Sequence, residues 1–191
     1  MTTEEFNIIY PPGTGGNHLA NLISLDKKYS LDLDLSNYDS NDFSNPHVHQ
    51  SRPRKNEKIK INLFHMGSFI VECRQETIGQ NSKNILILLP QFSESSLAYN
   101  RLKYWSKEYQ NAYLYSEHSQ IYSKYLMSKL LNQKLLFTMD SSLLFDQDVS
   151  HLMRFLNSLN VTVDLNEILN YHNKWLKKIQ NYVDNQDYFC K

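Results

Sequence analysis

Six consecutive residues, Gly13-Thr14-Gly15-Gly16-Asn17-His18, have the types and spacing to hold an anion. Glycine admits positive φ and lets a ligand come close to the backbone. Three of the chain's five glycines lie between Gly13 and Gly16, so the need for glycine is local. A helix starting near Asn17 would point its first-turn N–H groups back into the loop, which is the geometry of a phosphate site. His18 sits in that first turn. It is either a donor to a phosphate or sulfate oxygen or a surface histidine. A plain turn with no ligand is the competing reading of the whole loop.

His65 is the second residue suited to chemistry. A neutral imidazole at a strand end can take a proton from a hydroxyl near neutral pH. A hydrogen-bonded structural histidine fits the same position equally well. His172 lies in an apolar helical stripe, where a satisfied core or interface histidine is the expectation. His47-x-His49 has no carboxylate or cysteine beside it at ligand spacing, so no metal site is predicted. Asp32, Asp34 and Asp42 read as solvated loop acids. The tyrosines between Tyr99 and Tyr125 could stack on a base, but helical core packing accounts for most of them.

Two familiar phosphate loops do not match. The P-loop of ATP- and GTP-using proteins needs a lysine and a metal-binding hydroxyl after its last glycine, and Asn17-His18 stand there instead. The dinucleotide fingerprint needs a third glycine and an acid after the second strand, and neither is present.

The elements that must position these residues follow from hydrophobic patterning. Phe6 to Tyr10 is a short apolar run ended by Pro11-Pro12-Gly13, a buried strand. Asn17 to Leu25 has helical spacing through Leu19, Leu22 and Ile23. Asp26 to Glu57 is rich in Asp, Asn and Ser and ends in the basic Arg52-Pro53-Arg54-Lys55, an irregular excursion that is either a substrate lid or a solvated loop. Lys58 to His65 alternates and forms a second strand, followed by a short helix within Phe69 to Gln80. Asn84 to Leu89 is fully apolar up to Pro90, a central strand covered on both faces. Helices follow from Glu94, with Ser93 as cap, and over His118 to Asn132. Lys134 to Met139 is a fourth strand. Helices then run over Val149 to Leu159 and onward from Asp164, whose pairing with Glu167 is a capping-box pattern.

Strands alternating with helices predict an α/β fold, a three-layer sandwich with a mostly parallel central sheet. The glycine loop, His65 and the segment after Leu89 would all lie beyond the carboxyl ends of the strands, where such sheets bind ligands.

The 191 residues suit one domain spanning 1–191, with the excursion at about 26–57. Apolar residues make up 41%, enough for a core, and the formal net charge is zero. With no global field, neither nucleic acid nor an anionic membrane is an expected partner. The start Met1-Thr2-Thr3-Glu4-Glu5 is unlike a signal peptide, and no apolar run reaches the length of a membrane span. Cys73 and Cys190 suggest neither a disulfide framework nor zinc. A cytoplasmic protein with reduced thiols is expected. The oligomeric state is left open.

Tyr10-Pro11-Pro12-Gly13-Thr14-Gly15-Gly16-Asn17-His18-Leu19 resembles the phosphosulfate-binding loop of the sulfotransferase family, in which a strand ending in Tyr-Pro runs into Lys-Ser-Gly-Thr-Thr-x-Leu and a helix. Asn62-Leu63-Phe64-His65 is similar to the family's second strand, which ends in Thr-His at the catalytic base. Leu136-Phe137-Thr138-Met139-Asp140, Phe155-Leu156-Asn157-Ser158-Leu159 and Trp175 follow the order of its C-terminal strand, acidic turn and helices. The resemblance implies a P-loop NTPase/sulfotransferase-like fold. It also implies the cofactor 3′-phosphoadenosine-5′-phosphosulfate and sulfuryl transfer to a hydroxyl or amine acceptor, with His65 as base. By the same resemblance, Gly13, Thr14, Gly15, Gly16, Asn17 and His18 would bind the cofactor, with Ser93, Ser95 and Ser96 roughly at the family's 3′-phosphate serine and Arg101, Lys103 or the Arg52 to Lys55 cluster as substitutes for its arginine. Pro12 or Gly13 stands where the family has its loop lysine, and Leu88-Leu89-Pro90-Gln91 lacks its strand-end arginine. Two lost charge-assisted contacts of roughly 1.5–3 kcal/mol each would weaken binding by orders of magnitude. A non-catalytic nucleotide- or anion-binding module of the same fold is therefore the alternative.

Overall fold

The computed structural model describes residues 5–10, 14–26, 28, 60–65, 83–88, 97–98, 100 and 136–189, with backbone only at 5, 60, 62–65, 136 and 186–189. The first strand, β1, is Glu5–Tyr10, followed by β2, Lys60–His65, β3, Lys83–Leu88, and β4, Leu136–Asp140. All pair in parallel, in the order β2-β1-β3-β4. The helices are α1, Gly16–Ser24, α2, Ser150–Ser158, and α3, Leu165–Phe189, with a 3-10 turn at Ser141–Leu144. The architecture is α/β.

The chain passes from β1 to β2 on one side, then returns to add β3 on the other side of β1. The strand order therefore reverses between β1 and β3. The crevice beyond their carboxyl ends is the ligand-binding position of open α/β sheets.

Side chains alternate across the sheet. Phe6, Ile8 and Tyr10 of β1, with Ile85 and Ile87 of β3, join Leu19, Leu22 and Ile23 of α1 and Ile168, Trp175 and Ile179 of α3 in one core. Elements from both ends of the chain thus share a single apolar cluster. On the opposite face Ile9 and Leu86 are 1% and 0% exposed, so that face is covered too. Burial on both sides is why β1 and β3 read as continuous apolar runs. Asn7 and Asn84 interrupt the second face, and their pairing is in register. The Asn7 Nδ2 donates to the Asn84 Oδ1 at 2.9 Å. A one-residue slip would set Asn7 against Ile85 or Lys83 and Asn84 against Phe6 or Ile8, so the pair favours this register.

The helix ends are closed by local chemistry. The Asp164 carboxylate accepts from the N–H groups of Asn166 and Glu167 at the start of α3, the N-cap half of the expected capping box. After α2, Asn160 takes the left-handed conformation at φ 60°. The Val161 N–H then reaches the Leu156 carbonyl and the Asn160 N–H the Asn157 carbonyl, a Schellman closure with asparagine in glycine's place. The buried Lys83 Nζ donates to the Leu159 carbonyl at 2.8 Å, placing a cation at the negative end of α2. Buried Asp26 accepts from the Thr162 N–H at 2.8 Å, tying the end of α1 to the same bend.

Leu97, Ala98 and Asn100 are helical, within the helix expected from Glu94. The short helix within 69–80, the helix over 118–132, nearly all of the 26–57 excursion and both cysteines lie outside the described residues. Among the described residues no helix is long and apolar enough to cross a membrane.

Candidate functional site

The glycine loop is built as a strand-to-helix turn. Gly15 is the N-cap of α1, at φ 87° and ψ 16°, in the left-handed region that favours glycine. The helix proper begins at Gly16, and the first bond of its ladder runs from the Leu19 N–H to the Gly15 carbonyl at 2.9 Å. The first-turn N–H groups have no acceptor inside the helix, and the N-cap residue, a glycine, brings no capping side chain. The positive end of the helix dipole therefore lies at the glycine turn.

The two glycines of this turn serve different ends. Gly15 turns the backbone, packed beside Leu144 and Trp175. Gly16 makes room for a ring: a Cβ there would fall 2.2–2.4 Å from the Tyr10 ring atoms. Close approach of Tyr10, not of a ligand, thus accounts for Gly16. The Tyr10 hydroxyl donates to the Asn17 Oδ1 at 2.7 Å, bracing the loop across its own turn. Burial pushes the Tyr10 phenol well above its ordinary pKa, so it stays neutral. Thr14 is fully buried beneath the loop.

His18 departs from both sequence expectations. It is 1% exposed, so it is no surface histidine. Its ring lies flat on the Trp175 indole, with centroids 3.8 Å apart and planes 3° apart, and close to parallel with Tyr171 at 5.4 Å. The His18 Nε2 is 2.9 Å from the His172 Nδ1, and the His172 Nε2 is 2.7 Å from the Asp146 carbonyl. A carbonyl only accepts, so the His172 Nε2 carries a proton and its Nδ1 a lone pair. The His18 Nε2–H must then donate to that lone pair. In this tautomer the His18 Nδ1 carries no hydrogen, and it is buried without a partner. His18 therefore offers no hydrogen to a phosphate oxygen. It leaves the set of ligand donors and serves as an anchor between α1 and α3.

Electrostatics agree with that assignment. Burial first, and then the neighbouring His172, push the His18 pKa well below its ordinary value. Burial also lowers His172, against weaker opposing effects from the Asp146 carbonyl and carboxylate. Both rings are neutral at pH 7. A second seam bond runs from the Asn21 Nδ2, one turn on, to the Tyr171 hydroxyl at 2.7 Å.

Of the other expected site residues, His65 ends β2, with its backbone in register with Tyr10. It shares the carboxyl edge with the loop, but its side chain lies outside the described atoms. Gly13, Ser93, Ser96 and Arg101 lie outside the described residues. At the end of β4 the Asp140 carboxylate accepts from the Ser142 N–H at 2.8 Å and is used in capping the 3-10 turn. Among the described residues no group of His, Cys, Asp or Glu is arranged to hold a metal ion.

Tyr171, Asn21 and Ser141 carried no sequence signal as site residues. Ser141 is fully buried, and its Oγ has no hydrogen-bond partner. His172 is the interface histidine its stripe implied. Its partner His18 is 154 positions away, so no local spacing announces the pair.

No protein-family model, curated protein or solved structure matches this chain.

Proposed function

We propose that this chain binds the phosphate end of a nucleotide at the turn Thr14 to Asn17 and the start of α1. One observation carries the reading. A left-handed Gly15 stands between a central parallel strand and the start of a nine-residue helix, where the strand order reverses. Backbone N–H groups and a helix dipole there favour an anion without any charged side chain.

Within this reading, the resemblance to sulfotransferases supports a P-loop-type fold and 3′-phosphoadenosine-5′-phosphosulfate as the ligand. The reaction is sulfuryl transfer to a hydroxyl or amine acceptor. The acceptor forms a bond to sulfur, the bond from sulfur to the donor's phosphate oxygen breaks, and His65 takes the acceptor's proton. Ser93, Ser96 and Arg101 would face the 3′-phosphate. A cytoplasmic setting, with Cys73 and Cys190 reduced, belongs to the same proposal. A second reading, a binding module without catalysis, is favoured by the lack of any cation among Thr14, Gly15, Gly16 and Asn17.

Thermal denaturation with and without millimolar 3′-phosphoadenosine-5′-phosphate tests the shared claim. A ligand at a hundred times its Kd stabilises the native state by about 2.7 kcal/mol, a rise of several degrees. No rise at millimolar nucleotide contradicts the binding reading. Given binding, sulfuryl transfer abolished by His65→Ala with the thermal shift intact supports the enzyme. A shift with no transfer to any phenol, alcohol or amine supports the module.

A further inference from the structure

The polar contacts between α1 and α3 are unusual in resting on two neutral imidazoles. The chain runs from the His18 Nε2–H to the His172 Nδ1, and from the His172 Nε2–H to the Asp146 carbonyl. Every hydrogen of this chain points one way, so a further proton has no place in it. On His172 it would sit at Nδ1, facing the His18 Nε2–H. On His18 it would sit at Nδ1, which is buried and has no acceptor. His18 is also the third residue of the helix that starts at Gly16. Whatever moves its ring moves the first turn of α1.

We propose that the His18–His172 pair is an acid-released latch, which holds the glycine loop and the start of α1 against α3 only while both rings are neutral. The latch acts on whatever anion the loop binds, yet its opening does not depend on the loop binding one. Among the described residues, the charged or titratable groups that face the pair are few. Asp146, in the bend before α2, favours charge on His172, and His172 disfavours charge on His18. Tyr171 of α3 stacks near His18 and bonds Asn21. Tyr10 of β1 braces the same turn through Asn17. Both phenols are neutral through the acid range, so the carboxylate of Asp146 is the one countercharge. It sits on an exposed residue, where solvent screens it.

The sign follows from proton counting. Both rings bind protons less readily closed than open, so opening takes up protons. Below the ordinary histidine pKa the opening constant rises by up to about tenfold per pH unit for each ring, about a hundredfold for the pair.

Hydrogen exchange between pH 7 and pH 4.5, corrected for intrinsic rates, tests the latch in the full chain. Amides of Leu19 to Ile23 are expected to lose protection by at least tenfold per pH unit below about 6, ahead of Ile85 to Ile87 in β3. Equal loss in α1 and β3 would mean global acid unfolding and would overturn the latch. So would protection in α1 that does not change with pH. The double variant His18→Phe, His172→Leu replaces both partners by apolar groups and is expected to flatten the α1 profile. If that variant does not fold, Trp175 reports instead. In a Trp105→Phe chain its fluorescence should change with the same midpoint as α1 exchange, because it stacks on His18, and a signal constant to pH 4.5 would overturn the proposal. A chain that binds no phosphate but shows the α1 transition would leave the latch standing and remove only the ligand reading.

Discussion

At the scale of single residues, the glycine-rich turn separates into positions with different physical demands. Gly15 answers to φ and Gly16 to the Tyr10 ring. Gly16→Ala is expected to destabilise the fold by about 1–3 kcal/mol, the range for overpacking a filled site. The clash is with one ring. Tyr10→Ala combined with Gly16→Ala should therefore cost less than the sum of the single changes, by at least about 0.5 kcal/mol. Urea denaturation of the four chains measures this, and strict additivity would show that the Tyr10 contact is not what Gly16 serves. The concentration of glycine was legible in the sequence. The ring that explains Gly16 was not, because it requires knowing that Tyr10 folds back over the turn it precedes.

At the scale of elements, the seam between α1 and α3 sets where the loop helix points. Trp175 is buried, stacks on His18 and leaves little room for a side chain at Gly15. Trp175→Ala is expected to cost about 3–5 kcal/mol, the range for large aromatic truncations in a core, with the largest loss of amide protection in α1. Tyr171→Phe removes the acceptor of the Asn21 amide and should cost about 1–3 kcal/mol. A change below 0.5 kcal/mol would mean that the amide finds another partner. The elements themselves were largely legible. The strand expected over Asn84 to Leu89 is β3 at Lys83–Leu88, and the helix expected from Asp164 is α3 at Leu165–Phe189. Buried parallel strands are apolar throughout and long helices repeat their stripe, so local pattern suffices. The seam is different. His18 carries the same local signature whether it faces solvent, ligand or another histidine, and only the tertiary fold chooses.

At the scale of the whole molecule, the buried neutral histidines make stability depend on pH. Both rings are lowered from an ordinary value of 6.5. As pH falls through 6.5 the unfolded chain binds protons that the native chain refuses, so unfolding becomes easier. The loss is at most about 1.4 kcal/mol per pH unit for each histidine. Urea midpoints are expected to hold between pH 8 and pH 7 and to fall steadily from pH 6.5 to pH 5. Equal midpoints at pH 7 and pH 5 would show that the rings can charge in place. On the opposite sheet face, Asn7→Leu removes the donor to the Asn84 Oδ1 and should cost about 1–3 kcal/mol. The topology brings the loop and the backbone of His65 to one edge. That was foreseeable, because parallel strands joined by helices put every strand's carboxyl end on the same side.

Backbone amides at the start of α1 are proposed to hold a phosphate. Backbone amide NMR shifts on titration with 3′-phosphoadenosine-5′-phosphate at pH 7.5 test it most directly. Saturable downfield shifts of the Gly15, Gly16 and Asn17 amide protons are expected, larger than any in α2 or the carboxyl half of α3. Saturable binding that leaves those three amides unmoved, or no binding at millimolar nucleotide, would contradict it.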